Sequence, residues 1–151
     1  MGITNEPPVS EPPADGTGPT RAAEETYGLT ALVFDVFERD CPSRSVLEHA
    51  TGRWGSLVLA GLHQGPARFN ALRRKVDGVS EKMLSQTLHA LERDGLVTRE
   101  VRSSIPPHVE YALTDLGTAT AARLVDLILF LEAAMPDVLA ARSAYESRGD
   151  H

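Results

Sequence analysis

Polar side chains that can donate and accept hydrogen bonds cluster on one face of a helix predicted over about residues 81–93. The opposite face carries Met83, Leu84, Leu88 and Leu91 and is predicted to be buried. The polar face is formed by Glu81, Lys82, Ser85, Gln86, His89 and Arg93. Short hydroxyl, amide and imidazole groups of this kind can hydrogen-bond to base edges in the major groove of DNA. An ordinary solvated helix would show a similar face, so the neighbouring elements decide between the two interpretations.

The elements before this polar helix are predicted to be helix, turn and helix. One helix is predicted over residues 54–62, with Trp54, Leu57, Val58 and Gly61 toward the core. A Gly65-Pro66 turn follows it, and a short helix covers about residues 69–76. Ser80 is predicted to cap the polar helix, because its hydroxyl can accept a hydrogen bond from the free N–H groups of the first turn.

Two alternating runs follow the polar helix and predict a β hairpin. Apolar and polar residues alternate over residues 97–102 and 109–113, and the loop “SSIPP” at 103–107 joins the two runs. In a winged helix-turn-helix, the second helix enters the major groove and the hairpin, or wing, lies over the phosphate backbone. The predicted fold class is therefore mainly α with a small β hairpin, a winged helix-turn-helix with N- and C-terminal dimerisation helices.

The net charge of −6 is unevenly distributed along the chain. Residues 41–113 hold ten Arg or Lys against seven Asp or Glu, whereas residues 1–40 hold two against eight and residues 114–151 three against six. The local balance decides whether a surface attracts phosphate, so the positive middle segment is the candidate DNA-binding region. Outside the polar helix, the residues predicted to contact DNA are Arg68, Ser80, Arg99, Arg102, Ser103, Ser104 and His108.

The 151 residues are enough for one hydrophobic core and too few for two ordinary domains. The acidic, Pro- and Gly-rich start cannot bury enough apolar surface and is predicted to be disordered. The predicted organisation is a disordered tail at 1–26, an amphipathic helix at 27–40, the winged-helix domain at 41–113, a dimerisation helix at 114–140 and a flexible tail at 141–151.

The C-terminal helix, which Thr114 is predicted to cap, is unusually apolar. Its stretch “LVDLILFL” at 124–131 carries one charge, which is too few for a helix with one wetted side. We expect a second copy of the chain to cover the surplus apolar face, together with the helix at 27–40. The predicted dimer interface consists of Leu29, Val33, Val36, Phe37, Leu124, Leu127, Ile128 and Leu131.

Several classes of function lack support in the sequence. Cys41 is the single cysteine, which excludes an intrachain disulfide and a thiolate-rich metal site, and the histidines lack metal-site spacing. No nucleophile–base pattern, Gly-rich phosphate loop or paired carboxylates in an apolar setting is present, so neither an enzyme nor a cofactor is expected. Since no apolar run reaches the ~20 residues that cross a bilayer and no secretory signal is evident, we expect a cytoplasmic location and no membrane partner.

The region from Cys41 to about Glu132 resembles the HxlR-type winged helix-turn-helix transcriptional regulators. The resemblance rests on Cys41-Pro42, on “TGRW” at 51–54, on the stretch 65–100 and on “PPHVEYALTDLG” at 106–117. It implies a small bacterial repressor or activator that binds double-stranded DNA as a homodimer, built largely from the terminal helices. A two-fold dimer is expected to bind a palindromic operator.

Two departures from the family and one shared cysteine bear on function. The family usually has Gly-Gly-Lys-Trp at 51–54, and often has Arg or Lys where His89 and His108 stand, so this chain lacks up to two permanent positive charges there. Some members use the cysteine at the Cys-Pro position to sense quinones, aldehydes or oxidants. This makes Cys41 a candidate sensor, and the alternative is a small packed residue.

Three functions stay open at this point. The first is a dimeric, sequence-specific DNA-binding regulator, and the second is the same regulator controlled by a small-molecule effector bound between the terminal helices and the winged domain. The third is a protein-interaction module that keeps the fold and has lost DNA binding, which the negative net charge and the two histidines favour slightly. Salt-dependent binding to duplex DNA would separate the third from the others.

Overall fold

The computed structural model describes residues 34–149, and the secondary structure of this part lies in the unit that begins at Val36. Its helices are α1 (Pro42–Thr51), α2 (Gly55–Leu62), α3 (Phe69–Lys75), α4 (Glu81–Arg93), α5 (Asp115–Ala133) and α6 (Met135–Gly149). Its strands are β1 (Ala67–Arg68), β2 (Val97–Arg102) and β3 (His108–Leu113). The predicted fold class, a mainly α winged helix-turn-helix with a small β hairpin, is confirmed.

The three strands form one antiparallel sheet in the order β1-β3-β2. β2 and β3 make the predicted hairpin, which pairs Val97 with Leu113 at its base and Arg102 with His108 at its tip. β1 adds a short edge to β3 and was not predicted, because two residues are too few to show an alternating pattern.

The core is built mainly from leucine and valine, as a chain with 5% aromatic residues requires. Trp54 is half-buried and packs against this core, whereas Leu57 and Met83, which were predicted to face inward, are exposed. The buried apolar residues are Ala50, Val58, Leu59, Leu62, Leu72, Val76, Val79, Leu84, Leu88, Leu91, Leu96, Val97, Ala121 and Leu124.

Two glycines allow helix ends to approach other backbone more closely than a side chain would permit. A Cβ on Gly55 would lie 1.8 Å from the carbonyl oxygen of His49, and a Cβ on Gly117 would lie 1.8 Å from that of Leu96. The first contact sets the start of α2 against the end of α1. The second sets α5 against the segment before β2, where Thr114 caps α5 as predicted by accepting from the Gly117 N–H at 2.9 Å.

The predicted N-terminal helix is wrong in its last part, because residues 34–40 form turns and extended backbone. Its remaining residues, 27–33, lie outside the described residues, as do Leu29 and Val33 of the predicted dimer interface. Helices in proteins are stabilised mainly by packing of their apolar face, yet Phe37 is 88% exposed. Apolar spacing alone was therefore insufficient evidence for a helix here.

The C-terminal prediction is also corrected. The single helix expected over 114–140 is two helices, α5 and α6, and residues 141–149 belong to α6 instead of a flexible tail. Pro136 lies in the first turn of α6, where proline is tolerated, but it cannot continue α5 because it lacks an N–H donor. The tail is helical because Ala, Arg and Glu, which favour helix, make up much of it.

Candidate nucleic-acid interface

Helix α4 is fixed at both ends by contacts that its sequence provides. At its start, the Ser80 hydroxyl accepts from the Met83 N–H at 3.1 Å, which confirms the predicted cap. At its end, Gly95 takes a positive φ of 76° and turns the chain toward β2. Nδ1 of His49 lies 2.6 Å from Oδ2 of Asp94, and this contact ties the end of α4 to α1. The exposed face of α4 is thus held in a defined orientation.

The outward face of α4 offers polar groups that are not used within the chain. In the part of the chain that the structure describes, six of its exposed polar side chains make no hydrogen bond or ion pair with another residue, namely Lys82, Ser85, Gln86, His89, Glu92 and Arg93. Their donors and acceptors are therefore available to a ligand. Arg93 is exposed in the last turn of the same helix.

Two other predicted contact residues of this helix serve its own structure. The hydroxyl of Ser80 is engaged in the N-cap. Oε1 of Glu81 accepts from Nη1 of Arg73 at 2.8 Å, which connects α4 to α3. A carboxylate repels phosphate, so its pairing with Arg73 keeps a negative charge at the start of α4 compensated.

The two wing arginines, Arg99 and Arg102, lie on opposite faces of the hairpin, because side chains alternate along a strand and the two are three positions apart. Arg99 stands opposite Tyr111. Nη2 of Arg102 lies 3.2 Å from Oε2 of Glu100 and 3.7 Å from Oε1 of Glu110, two glutamates that are direct cross-strand neighbours. Like charges in this position destabilise a sheet, and Arg102 offsets their repulsion.

The wing tip holds its histidine in a local hydrogen-bond network. Ser104 Oγ donates to the Pro106 carbonyl at 3.0 Å, and Nδ1 of His108 lies 2.7 Å from the same hydroxyl oxygen. Because a hydroxyl has one proton, His108 Nδ1–H is the donor in the second contact. Nε2 of His108 faces Glu110 at 3.7 Å, and Ser103 is exposed beside this network. His108 is therefore already hydrogen-bonded within the wing, whereas Arg99 has no carboxylate partner among the described residues.

A basic groove lies between α3 and the wing. It has a volume of 460 Å³, and its polar lining is Arg68, Asn70, Arg74 and His108. Arg68 was predicted as a contact residue, whereas Asn70 and Arg74 were not. The run of Arg73, Arg74 and Lys75 at the end of α3 was the signal that could have identified them, since it concentrates positive charge on the first helix of the helix-turn-helix.

The other classes of site receive no support from the described residues. Among residues 34–149, no group of three or more His, Cys, Asp or Glu side chains is placed to hold a metal ion. Within the same residues, no helix combines the length and the apolar character needed to cross a membrane.

Cys41 is the N-cap residue of α1 and is half-buried. Its Sγ lies 3.2 Å from the Ser43 hydroxyl oxygen. The helix begins at Pro42, whose fixed φ suits a first helical position. The guanidinium of Arg44 pairs with Glu48 at 3.2 Å.

The predicted dimer residues of α5 divide into exposed and buried ones. Leu127 and Leu131 are 51% and 47% exposed and Ile128 is half-buried. Leu124 is 8% exposed and belongs to the chain's own core, which corrects its assignment to the interface. Leu129 and Phe130, which were not selected, are exposed, as are Val36 and Phe37.

Comparison with known proteins places these features in a family. The HxlR-like helix-turn-helix family model matches residues 50–138. The chain is 50% identical over 108 residues to the HTH-type transcriptional regulator YtfH of Escherichia coli strain K12, covering 72% of this chain and 86% of that protein. The solved structure of ytfH from Salmonella typhimurium has 49% identity and a TM-score of 0.68, covering 73% of this chain and 98% of that one. The solved structure of the redox regulator HypR in its oxidized form has 33% identity and a TM-score of 0.57, covering 62% of this chain and 96% of that one.

Proposed function

Because the chain belongs to the HxlR-like helix-turn-helix family of transcriptional regulators, we propose that it is a homodimer that binds a specific DNA sequence. In this proposal α4 enters the major groove, and the wing formed by β2 and β3 lies on the phosphate backbone. Each subunit binds one half of a palindromic operator. The regulator acts in the cytoplasm, where it meets DNA.

The observation that carries this proposal is the unengaged polar face of α4. Gln86 is the leading candidate for base recognition, since its amide offers a donor and an acceptor and so fits the N6 and N7 groups of adenine. Ser85 and His89 lie on the same exposed face, and Lys82 supplies a positive charge there. A solvated helix can show a similar face, and the position of α4 as the second helix of a helix-turn-helix that precedes the hairpin favours DNA as its partner.

Selection from a random duplex pool tests the proposal directly. The unmodified chain should enrich a single motif with two related halves. Gln86→Ala should relax the base preference at one position in each half, since one lost bidentate contact removes about 1–3 kcal/mol of discrimination. Gln64→Ala is the matched control, because Gln64 is an exposed glutamine outside α4 and should give the unmodified motif.

Two results would contradict parts of this account. If the unmodified chain enriched no motif, the DNA-binding function would fail, and the interaction module would become the better interpretation. If Gln86→Ala gave the same motif as the unmodified chain, Gln86 would not read bases.

The exposed apolar residues of α5 support the homodimer. Leu127, Phe130 and Leu131 are exposed, and their spacing of three and four residues places them on one side of α5. An exposed apolar patch of this kind on a small protein marks a contact surface. A second copy is the partner that the proposed two-fold operator requires.

A groove between α1 and α5 supports control by a small apolar effector. Its volume is 410 Å³, within the range of small-molecule sites. It lies between the winged domain and the C-terminal region, so a ligand there would bear on the arrangement of the two subunits. The groove is lined by Leu47, Ala50, Thr51, Leu116, Ala119, Thr120, Arg123 and Leu124.

Control by thiol oxidation is supported by the place of Cys41 and by the similarity to HypR, a redox regulator. With one cysteine per chain, a disulfide would join two chains or one chain and a small thiol. Diamide would take two electrons and two protons from two thiols. Diamide should change the DNA affinity of the unmodified chain and leave the DNA affinity of Cys41→Ser unchanged. Equal affinity before and after treatment in both proteins would contradict a sensing role of Cys41.

A further inference from the structure

Arg53 is an exposed residue between α1 and α2. Its Cζ lies 4.7 Å from the centroid of the Trp54 ring, which is a cation–π contact. We propose that Arg53 binds a DNA phosphate beside the recognition helix α4. This inference rests on the proposed function and adds a contact outside the helix-turn-helix and the wing.

The backbone around Arg53 is held by close contacts on both sides. A Cβ on Gly52 would lie 2.7 Å from the Glu48 carbonyl oxygen, and one on Gly55 would lie 1.8 Å from that of His49. Trp54, between them, packs against the core. A guanidinium that rests on a fixed ring has lost part of its freedom before binding, so ordering it on a phosphate costs less entropy.

The groove that Arg53 lines also contains residues of α4. It has a volume of 410 Å³, and Arg53 and Trp54 share it with Met83, Gln86 and Thr87. Phosphates border the major groove on both sides, and contacts to them fix the register of a protein on its site. When a duplex places its base edges against Gln86, its phosphate backbone comes close to the residues that surround α4. Arg53 is the arginine among the residues that line this groove.

The charge of Arg53 is available for such a contact. Among residues 34–149, Arg53 has no ion pair with a carboxylate, whereas Arg44, Arg73 and Arg102 each pair with a glutamate. Glu48 lines the same groove, and its pairing with Arg44 at 3.2 Å offsets its negative charge. A planar guanidinium can also bind phosphate in two-pronged fashion, which suits a contact that sets register.

The test compares three variants of the full chain on the duplex obtained by selection, with binding titrated between 50 and 200 mM salt. Arg53→Ala removes one phosphate contact from each subunit, and therefore two from the dimer. The log–log salt slope should become shallower by about 1.8, and the loss of affinity relative to the unmodified chain should shrink about 12-fold between 50 and 200 mM salt. Arg53→Lys should keep the slope and bind more weakly than the unmodified chain, because an ammonium lacks the planar fork. Arg148→Ala is the matched control, since Arg148 also stacks on an aromatic ring, at 5.9 Å from the Tyr145 centroid, and should leave the slope unchanged.

The outcomes separate this inference from the proposed function. An unmodified chain without sequence-specific, salt-dependent binding would overturn both. If the unmodified chain bound normally and Arg53→Ala left the salt slope unchanged, the inference alone would be overturned. Arg53 would then serve only to pack against the Trp54 ring. A slope lowered equally in Arg53→Ala and Arg148→Ala would also overturn it, because the effect would then follow net charge. Arg53→Lys keeps the test decisive if the alanine variant unfolds.

Discussion

Replacing Arg102 by alanine should weaken both the fold and DNA binding more than replacing Arg99, although each change removes one positive charge. Arg102 bridges Glu100 and Glu110 at 3.2 and 3.7 Å, and these glutamates face each other across the hairpin. Arg99 stands opposite Tyr111 instead. Without Arg102, the wing would present two uncompensated carboxylates to the DNA backbone.

The distances set the size of the effect. In a water-like dielectric, Coulomb's law gives about 1.3 kcal/mol at 3.2 Å and about 1.1 kcal/mol at 3.7 Å. Side-chain entropy and screening reduce such exposed pairs to about 0.2–1 kcal/mol each. The free energy of unfolding should therefore fall by about 0.5–2 kcal/mol in Arg102→Ala, whereas Arg99→Ala should stay within about 0.5 kcal/mol of the unmodified chain.

Urea unfolding and salt-titrated DNA binding should be measured for both alanine variants and for Arg102→Ala combined with Glu100→Gln and Glu110→Gln. The glutamines remove the carboxylate repulsion at nearly unchanged side-chain size. The triple variant should regain most of the lost stability and bind DNA more tightly than Arg102→Ala. Equal stability and affinity of the two single variants, or no recovery in the triple variant, would refute the compensating role of Arg102.

Three further changes test the fold and the assembly. Gly117→Ala should lower the free energy of unfolding by about 1–3 kcal/mol, because the new Cβ would lie 1.8 Å from a backbone oxygen. Gly149→Ala is the control and should be neutral, because no atom lies within 4 Å of its Cβ position. Equal effects of the two changes would contradict the close approach at Gly117. Ser80→Ala should cost about 0.5–2 kcal/mol in urea unfolding through loss of the α4 cap, and an unchanged midpoint would exclude that role. Leu127→Glu with Leu131→Glu should turn a dimer into monomers or aggregates by light scattering, and a wild-type monomer at all concentrations would refute the dimer.

Local signals predicted the elements whose stability is local. Ser80 and Thr114 cap α4 and α5 because a hydroxyl before a helix satisfies the same backbone donors in any fold. The alternation of apolar and polar residues also predicted the hairpin of β2 and β3, although burial is confined to its base, where Val97 is buried and Val101 is 65% exposed.

Features that depend on distant residues were missed. Leu124 follows the apolar pattern of the expected interface, yet it is buried because Gly117 brings α5 close to the core. The pairing of Arg102 with Glu110 depends on strand register, and the contact of Arg53 with Trp54 depends on how α1 meets α2. Residue type indicated which side chains could bind DNA, whereas only their neighbours in the structure determine which of them are already engaged.

The most direct test of sequence-specific DNA binding is the affinity of the unmodified chain for its selected duplex and for a scrambled duplex of the same composition, measured at one physiological salt concentration. We expect the selected duplex to bind at least about 10³-fold more tightly than the scrambled one. Equal affinity for the two duplexes would contradict it.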